Sequence, residues 1–233
     1  MIDFYYWPTP NGWKVSILLE ELGVPYKTIP VNIGQGDQFK PEFLAISPNH
    51  RMPAIVDHDV EGESVPIFES GAIMYYLAEK HGRFMPSDPL GRKETLEWLF
   101  WQVGNLGPMA GQYSHFVNYA PKEEVYGHDR YKNEYHRCLG VLERRLTDRA
   151  YILGDDYSIA DMISWPWVLI AKAMGQPLDE FPNVARWRGA VKERPAVQRG
   201  VDLGKDLRRS APPSDEERKN LFNQTAATAD GAT

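Results

Sequence analysis

Residues 2–23 read IDFYYWPTPNGWKVSILLEELG, and this stretch decides how the start of the chain folds. Its first five residues predict a β-strand, and the two prolines and the glycine of residues 7–12 end that strand in an irregular turn. Apolar residues then recur at helical spacing from Val15 to Leu22, and Gly23 follows where a left-handed C-cap belongs. The stretch therefore predicts a strand, a turn and a helix in direct succession.

The pattern of short elements continues to residue 82. Further strands are predicted at residues 26–31, 54–57 and 65–68, one or two helical turns at 41–46, and a helix from Ser70. The predicted order is βαβαββα. We assign residues 1–82 to one α/β domain.

The pattern changes after a linker rich in turn formers at residues 83–89. Residues 90–207 show helix periodicity and no alternating strand, which predicts a separate all-helical domain. Breaks or bends are expected at residues 104–111 and 119–124, and residues 158–161 match a capping box ahead of an apolar helix. Residues 208–233 lose the periodicity, so we predict a mobile tail or a segment lying on the surface.

Composition and charge favour a small-molecule protein. The net charge is -6, which gives no electrostatic reason to approach nucleic acid or anionic lipid. The apolar start lacks the basic flank of a signal peptide, and no stretch is long and apolar enough to span a bilayer. We expect a cytoplasmic protein.

The sulfur and imidazole side chains limit the possible chemistry. Cys138 is the only cysteine, so neither an intrachain disulfide nor a CxxC redox or zinc motif can form. The six histidines show no HExxH or paired-ligand spacing. We therefore expect no metal site, and we predict that Cys138 is a buried or semi-buried thiol without a catalytic role.

The turn at residues 9–12 is the first candidate site. A helix N-terminus presents unpaired N–H groups and a partial positive charge, and both stabilise a thiolate placed there. Since no protein thiol lies nearby, the sulfur would have to come from a ligand. Thr9 and Asn11 are also good helix caps, so a purely structural role stays open.

Two dipeptides add further candidates. If the Met52–Pro53 bond is cis, the backbone of Met52 can pair with an extended peptide, whereas a trans bond predicts an ordinary loop. Glu69 and Ser70 lie between a strand and a helix. Together they suit an α-amino acid head group, because a helix start binds carboxylate and Glu69 can bind ammonium, although Ser70 alone can be an N-cap.

Large side chains recur at helical spacing in the helical region, from Trp98 to Phe116. Such a stripe is more often core than pocket, and we assign Trp98 and Trp101 mainly to the core. Met109 and Tyr113 are our candidates for a pocket that holds a second, apolar substrate.

These motifs together resemble the glutathione-transferase family, and the match is closer to the bacterial Nu class than to the alpha, mu or pi classes. The resemblance is carried by residues 9–12, 38–39, 47–49, 52–55, 68–73, 98–109 and 157–161, and it extends from Met1 to about Leu203. It implies an N-terminal thioredoxin-like domain that binds glutathione, an all-α C-terminal domain that supplies the second pocket, and a homodimer.

The resemblance also implies roles for individual residues. Thr9 and Asn11 lie near the glutathione sulfur, Gln38 lies near the glycyl end, and the backbone of Met52, before a cis Pro53, pairs with the cysteinyl unit. Glu69 and Ser70 bind the γ-glutamyl head group. Arg130 corresponds to an arginine that reaches the ligand from the partner subunit, and we assign Asp161 to folding.

The sequence departs from several classes at one point. Alpha, mu and pi enzymes use a tyrosine near the first helix, and other classes use a cysteine, but here the region has Tyr5, Tyr6 and Thr9. We place both tyrosines in the strand rather than at the sulfur. We therefore predict glutathione-dependent reduction of small disulfides, and of hydroperoxides in addition. The alternatives are conventional conjugation to electrophiles and a non-catalytic glutathione-binding regulator.

Overall fold

Strand β1 (Ile2–Tyr6) lies inside a four-stranded mixed sheet of the computed structural model, which describes residues 1–209 and 211–225. The sheet order is β2-β1-β3-β4, with β2 at Tyr26–Pro30, β3 at Ala54–Asp57 and β4 at Val65–Phe68. Strand β1 pairs parallel with β2 and antiparallel with β3, and β3 pairs antiparallel with β4.

Three helices accompany the sheet: α1 at Pro10–Leu22, α2 at Pro41–Leu44 and α3 at Ser70–His81. Helix α1 begins with Thr9 as its N-cap and ends at Gly23, whose φ of 69° requires the left-handed region that glycine tolerates. The predicted order βαβαββα is confirmed.

Residues 90–207 are mainly helical, as predicted, and a further helix lies within the range predicted as a tail. The α-helices are α4 at Pro89–Trp101, α5 at Gly107–Asn118, α6 at Val125–Arg145, α7 at Ile159–Leu169, α8 at Pro182–Lys192, α9 at Pro195–Asp202 and α10 at Asp215–Phe222. The predicted break at residues 119–124 separates α5 from α6. The break expected at 104–111 takes another form, because residues Gln102–Leu106 form a π-helical segment that leads directly into α5. One widened turn thus absorbs the disturbance that the glycines and Pro108 introduce.

The described residues divide into two compact units. One combines residues 1–73 with 199–209 and 211–225, and the other is residues 74–198. The chain passes from one unit to the other inside α3 and inside α9. The sequence-based prediction instead separates the domains at the linker of residues 83–89 and begins the tail at residue 208. The core of the first unit contains Phe4, Leu18 and Ile55, all fully buried.

The second unit buries the inner face of α6, which carries Tyr135, Cys138, Leu139 and Leu142. Burial raises the pKa of the Cys138 thiol to about 11. A thiol with so high a pKa is largely unreactive at neutral pH. The structure therefore supports the prediction of a buried or semi-buried thiol without a catalytic role.

The C-terminal segment, which we define as residues 211–225, contains helix α10. Ser214 and Glu217 form a reciprocal capping box at its start. The sequence predicts a mobile or surface-lying tail over 208–233, and residues 210 and 226–233 of that range lie outside the described residues. No helix in the described part of the chain is long and apolar enough to cross a membrane.

Asp161 organises the second unit around the start of α7. Its Oδ1 accepts from the backbone N–H of Ile152 at 2.9 Å and from the indole N–H of Trp187 at 2.8 Å. Its Oδ2 accepts from the N–H and the hydroxyl of Ser158, each at 3.0 Å. Burial raises the pKa of Asp161 to about 6, against the effect of these four donors. The carboxylate thus joins a helix start, a loop and α8.

Replacing Asp161 with Ala is expected to lower the free energy of unfolding by about 3 kcal/mol, because four donors lose a buried acceptor. Asp161→Asn is also expected to destabilise, since its NH₂ group would face a donor. Urea denaturation at pH 7.5 measures both effects. Asp155→Ala, at an exposed position nearby, is the control and should change stability by no more than about 0.5 kcal/mol. Equal stability of the Asp161 and Asp155 variants would contradict the assignment.

Candidate functional site

Four chain segments meet at one end of the sheet. The registers pair Tyr5 with Ala54 and Ala54 with Phe68, so the end of β1, the start of β3 and the end of β4 lie side by side. Strand β2 runs parallel to β1, with Tyr6 opposite Pro30, so the segment after β2 emerges at the same end. The structure therefore gathers the segments that carry the predicted site residues of the first unit.

The turn at the start of α1 follows β1 directly. Thr9 has extended backbone angles, and its Oγ1 accepts from the N–H of Gly12 at 3.4 Å. Because Oγ1 acts as an acceptor in this bond, its own hydrogen stays available to donate. Asn11 is half-buried in the first turn of the same helix. These groups, with the partial positive charge of the helix start, form a site suited to an anionic sulfur.

Gly12 allows the close approach of α1 to the end of β1. A Cβ at this position would lie 2.3 Å from the carbonyl oxygen of Trp7 and 2.6 Å from the ring of Tyr6. Both contacts are far shorter than van der Waals distance, so only glycine fits without a shift of the turn.

Gly12→Ala is expected to lower the free energy of unfolding by about 1–3 kcal/mol, because the added methyl group overpacks this junction. Gly189→Ala in α8 is the matched control, since a Cβ there meets no atom within 4 Å. The control should be neutral or stabilising by about 0.5–1 kcal/mol. Chemical denaturation of the two variants checks the difference, and an unchanged stability of Gly12→Ala would refute the close approach.

Lys14 is a buried ionisable residue in the first turns of α1 that the sequence analysis did not single out. Only 3% of its surface is exposed. Burial lowers the pKa of Lys14 to about 7, and the nearby Glu69 carboxylate acts in the opposite direction. When it is protonated, Lys14 adds positive charge near the Glu69 carboxylate. A lysine within a run of mainly apolar residues, directly between Trp13 and Val15, is the signal that could have revealed it.

The peptide bond between Met52 and Pro53 is cis, as the resemblance implies. Met52 is partly buried and packs against a cluster of Val31, Phe43 and Ala54. This packing fixes the loop that leads into β3.

Glu69 lies between β4 and α3 with a φ of 67°, a left-handed conformation that is unusual for a residue other than glycine. Its carbonyl oxygen accepts from the N–H of Ile73, and its Oε1 accepts from the amide of Asn49 at 3.2 Å. Ser70 is 8% exposed at the start of α3. Asn49 is a contact that the sequence analysis did not assign, although it lies in a motif that carried the resemblance.

Gln38 lies deeper than the sequence analysis suggests, because only 2% of its surface is exposed. Its Nε2 donates to the carbonyl of Ile33 at 3.2 Å and to the carbonyl of Asn220 at 3.4 Å. The backbone carbonyl oxygen of Gln38 lies 3.1 Å from the Nδ1 of the buried His50. The structure thus places Gln38 in a network that includes the C-terminal segment, which the sequence analysis did not foresee.

The predicted residues of the second unit separate into surface and core. Arg130 is exposed on α6, where its Nη1 lies 2.6 Å from Glu134 Oε1. Met109 is half-buried on α5. Tyr113 is 2% exposed, and its hydroxyl donates to the carbonyl of Met174 at 2.8 Å. Tyr113 thus belongs to the core rather than to a pocket, since both its ring and its hydroxyl are already engaged, and Met109 remains the pocket candidate.

The geometry of residues 1–209 and 211–225 offers no candidate metal site. No three His, Cys, Asp or Glu side chains in this part of the chain lie close enough together to hold an ion.

Comparison with known proteins identifies the family. The model of the glutathione S-transferase N-terminal domain matches residues 1–79, and that of the C-terminal domain matches residues 126–190. The disulfide-bond oxidoreductase YfcG of Escherichia coli is 48% identical over 199 residues, which cover 84% of this chain and 93% of YfcG. The chain belongs to the glutathione S-transferase family, and within it the chain is similar to the Nu-class, disulfide-bond oxidoreductase type.

Two solved structures support this relationship. A glutathione transferase from Burkholderia graminis, with two glutathione molecules bound per subunit, is 45% identical with a TM-score of 0.83 over 88% of each chain. A glutathione transferase from Pseudomonas putida, with one glutathione disulfide bound per subunit, is 43% identical with a TM-score of 0.82. That match covers 87% of this chain and 91% of the other.

Proposed function

We propose that this protein binds glutathione at the end of its sheet and uses the glutathione thiolate to reduce small disulfides. The observation that carries the proposal is the row Tyr5, Ala54 and Phe68, which aligns the turn after β1, the cis Met52–Pro53 loop and the Glu69–Ser70 corner. An extended peptide along this row meets a helix start, a backbone edge and an acidic corner in sequence. Glutathione offers an amino acid head group, a peptide backbone and a thiol on its central cysteinyl unit, which suit the acidic corner, the backbone edge and the helix start in turn.

The proposal assigns the residues the following roles. Thr9 and Asn11 donate to the sulfur, and the backbone of Met52 pairs with the cysteinyl unit. Glu69 binds the γ-glutamyl ammonium, while Ser70 and the N–H groups at the start of α3 bind its carboxylate. Gln38 lies toward the glycyl end.

The reaction needs no protein nucleophile. A free thiol has a pKa of about 8.5, and lowering it by about 1.5 units makes it mainly thiolate at neutral pH. The thiolate attacks one sulfur of the disulfide, forms a mixed disulfide and releases one thiol. A second glutathione then attacks the glutathione sulfur of that mixed disulfide, so that glutathione disulfide and a second thiol leave. Two glutathiones are oxidised and one disulfide is reduced.

Disulfide reduction fits the residues better than conjugation promoted by a tyrosine. Tyr6 is fully buried, and its hydroxyl donates to the carbonyl of Leu203 at 3.0 Å. Burial raises the pKa of Tyr6 and also that of Tyr5. The relative YfcG of Escherichia coli is named a disulfide-bond oxidoreductase, which agrees with this choice. Hydroperoxides are a further substrate class, and Met109 is the candidate contact for apolar second substrates.

The purified protein is expected to reduce hydroxyethyl disulfide with glutathione and to conjugate a chloronitrobenzene poorly. Thr9→Ala and Asn11→Ala should each lower the reductase rate by roughly tenfold to a hundredfold and move its pH profile to higher pH, because the thiolate loses a donor. Conjugation without reduction would overturn the proposal. Tight binding of glutathione in calorimetry without turnover would instead favour a non-catalytic, glutathione-binding regulator.

A role for Arg130 across a homodimer is part of the same proposal. Its exposed guanidinium is held by Glu134 on the outer face of α6, from which it can reach a ligand in a partner subunit. Arg130→Ala is expected to raise the glutathione dissociation constant about tenfold without changing the unfolding transition. The matched control is Arg137→Ala, which removes the other arginine that contacts Glu134. Equal glutathione affinities of the wild type and Arg130→Ala would remove this role.

A further inference from the structure

The C-terminal segment lies against the part of the first unit that carries Gln38. The side-chain amide of Asn220 donates to the carbonyl of Gly34 at 2.8 Å, and the carbonyl of Asn220 accepts from Gln38. A Cβ at Gly36 would also lie 3.6 Å from the Asn220 side chain. These contacts place the last turn of α10 on the loop that follows β2.

The second contact joins the segment to Arg51, one residue before Met52. The Nη1 of Arg51 donates to Gln224 Oε1, and Gln224 Nε2 in turn donates to the carbonyl of Asn220 at 2.9 Å. The segment therefore offers two oxygen acceptors, the Asn220 carbonyl and the Gln224 amide, to two donors beside the candidate site.

The hydrogen atoms of Gln38 Nε2 are fully used in this arrangement. An amide nitrogen carries two hydrogens, and the carbonyls of Ile33 and Asn220 take one each. A ligand carboxylate that needs the Gln38 amide must therefore replace one of these acceptors. The Ile33 carbonyl belongs to the same loop, five residues away, whereas the Asn220 carbonyl belongs to the C-terminal segment.

We propose that the C-terminal segment competes with the glycyl carboxylate of glutathione for Gln38 and Arg51, and that ligand binding displaces it. This inference rests on the proposed function, because it takes Gln38 to lie at the glycyl end. Replacing the Asn220 carbonyl by a ligand carboxylate would give Gln38 a stronger hydrogen-bond acceptor. The 3.4 Å bond to a neutral carbonyl is long, whereas a carboxylate accepts shorter, charge-assisted bonds.

The C-terminal segment is also weakly enough held to dissociate from the loop after β2 and from Arg51. Helix α10 has only eight residues, and helices of that length are marginal in water without tertiary contacts. Its residues are all exposed or partly exposed, and none is buried. The contacts of Asn220 and Gln224 with the loop and with Arg51 therefore contribute strongly to its position.

The test compares the full-length wild type with Asn220→Ala/Gln224→Ala, which removes side-chain contacts of the segment and leaves Gln38 and Arg51 intact. Asn223→Ala is the matched control, because Asn223 is exposed just beyond α10. Calorimetry measures the affinity for glutathione and for its glycyl monoethyl ester, which lacks the negative charge at that end. Limited trypsin digestion with and without glutathione follows cleavage after Arg218 and Lys219.

The double variant is expected to bind glutathione at least about threefold more tightly than wild type, since more molecules have free donors. Its affinity for the ester and the affinity of Asn223→Ala for glutathione should stay unchanged. Saturating glutathione should speed cleavage of the wild type after Arg218 and Lys219.

Three results would overturn the inference while glutathione still binds: unchanged affinity and cleavage, a loss of affinity in the double variant, or an equal gain for the ester. Absence of glutathione binding in every protein, the wild type included, would instead refute the proposed function on which the inference rests.

Discussion

The close approach of α1 to the end of β1 at Gly12 is the constraint on which the site depends. The missing side chain lets the helix start beside the Trp7 carbonyl and the Tyr6 ring. Thr9 and Asn11 are thereby fixed at the same end of the sheet as the loops before β3 and after β4. A shift of this junction would move the anion-stabilising helix start away from the backbone edge at Met52.

The chemistry that this end of the sheet offers is electrostatic. The only protein thiol, Cys138, is buried with its pKa raised to about 11, so it cannot supply a nucleophile at neutral pH. What the chain supplies is a helix start, two polar side chains and the buried Lys14, whose pKa is lowered to about 7. Fixed groups of this kind do not have to reorganise when negative charge develops on a sulfur. They can therefore activate the thiol of a bound ligand without a general base.

Local patterns predicted the elements of this fold well because local interactions decide them. The strands, the cap at Gly23 and the capping box at residues 158–161 follow from residues close in sequence. The surroundings of Tyr113 and Gln38 were harder to predict, because distant parts of the sequence form them. Tyr113 bonds to Met174, 61 positions away, and Gln38 bonds to Asn220, 182 positions away. A periodic pattern shows which face of a helix is apolar, but not whether that face meets a core or a ligand.

The two ends of the candidate site differ in how firmly they are built. At the head-group end, the strained Glu69 is held by Asn49 and faces the charge of the buried Lys14, so moving these groups would disturb the sheet and α1 together. At the Gln38 end, the bonds to the C-terminal segment come from an amide and from an exposed arginine. Under the proposed function, a peptide ligand would be anchored by its γ-glutamyl group, while exchange would take place at its glycyl group. This asymmetry requires only that a strained backbone and a buried lysine cost more to rearrange than hydrogen bonds to an eight-residue helix without buried residues.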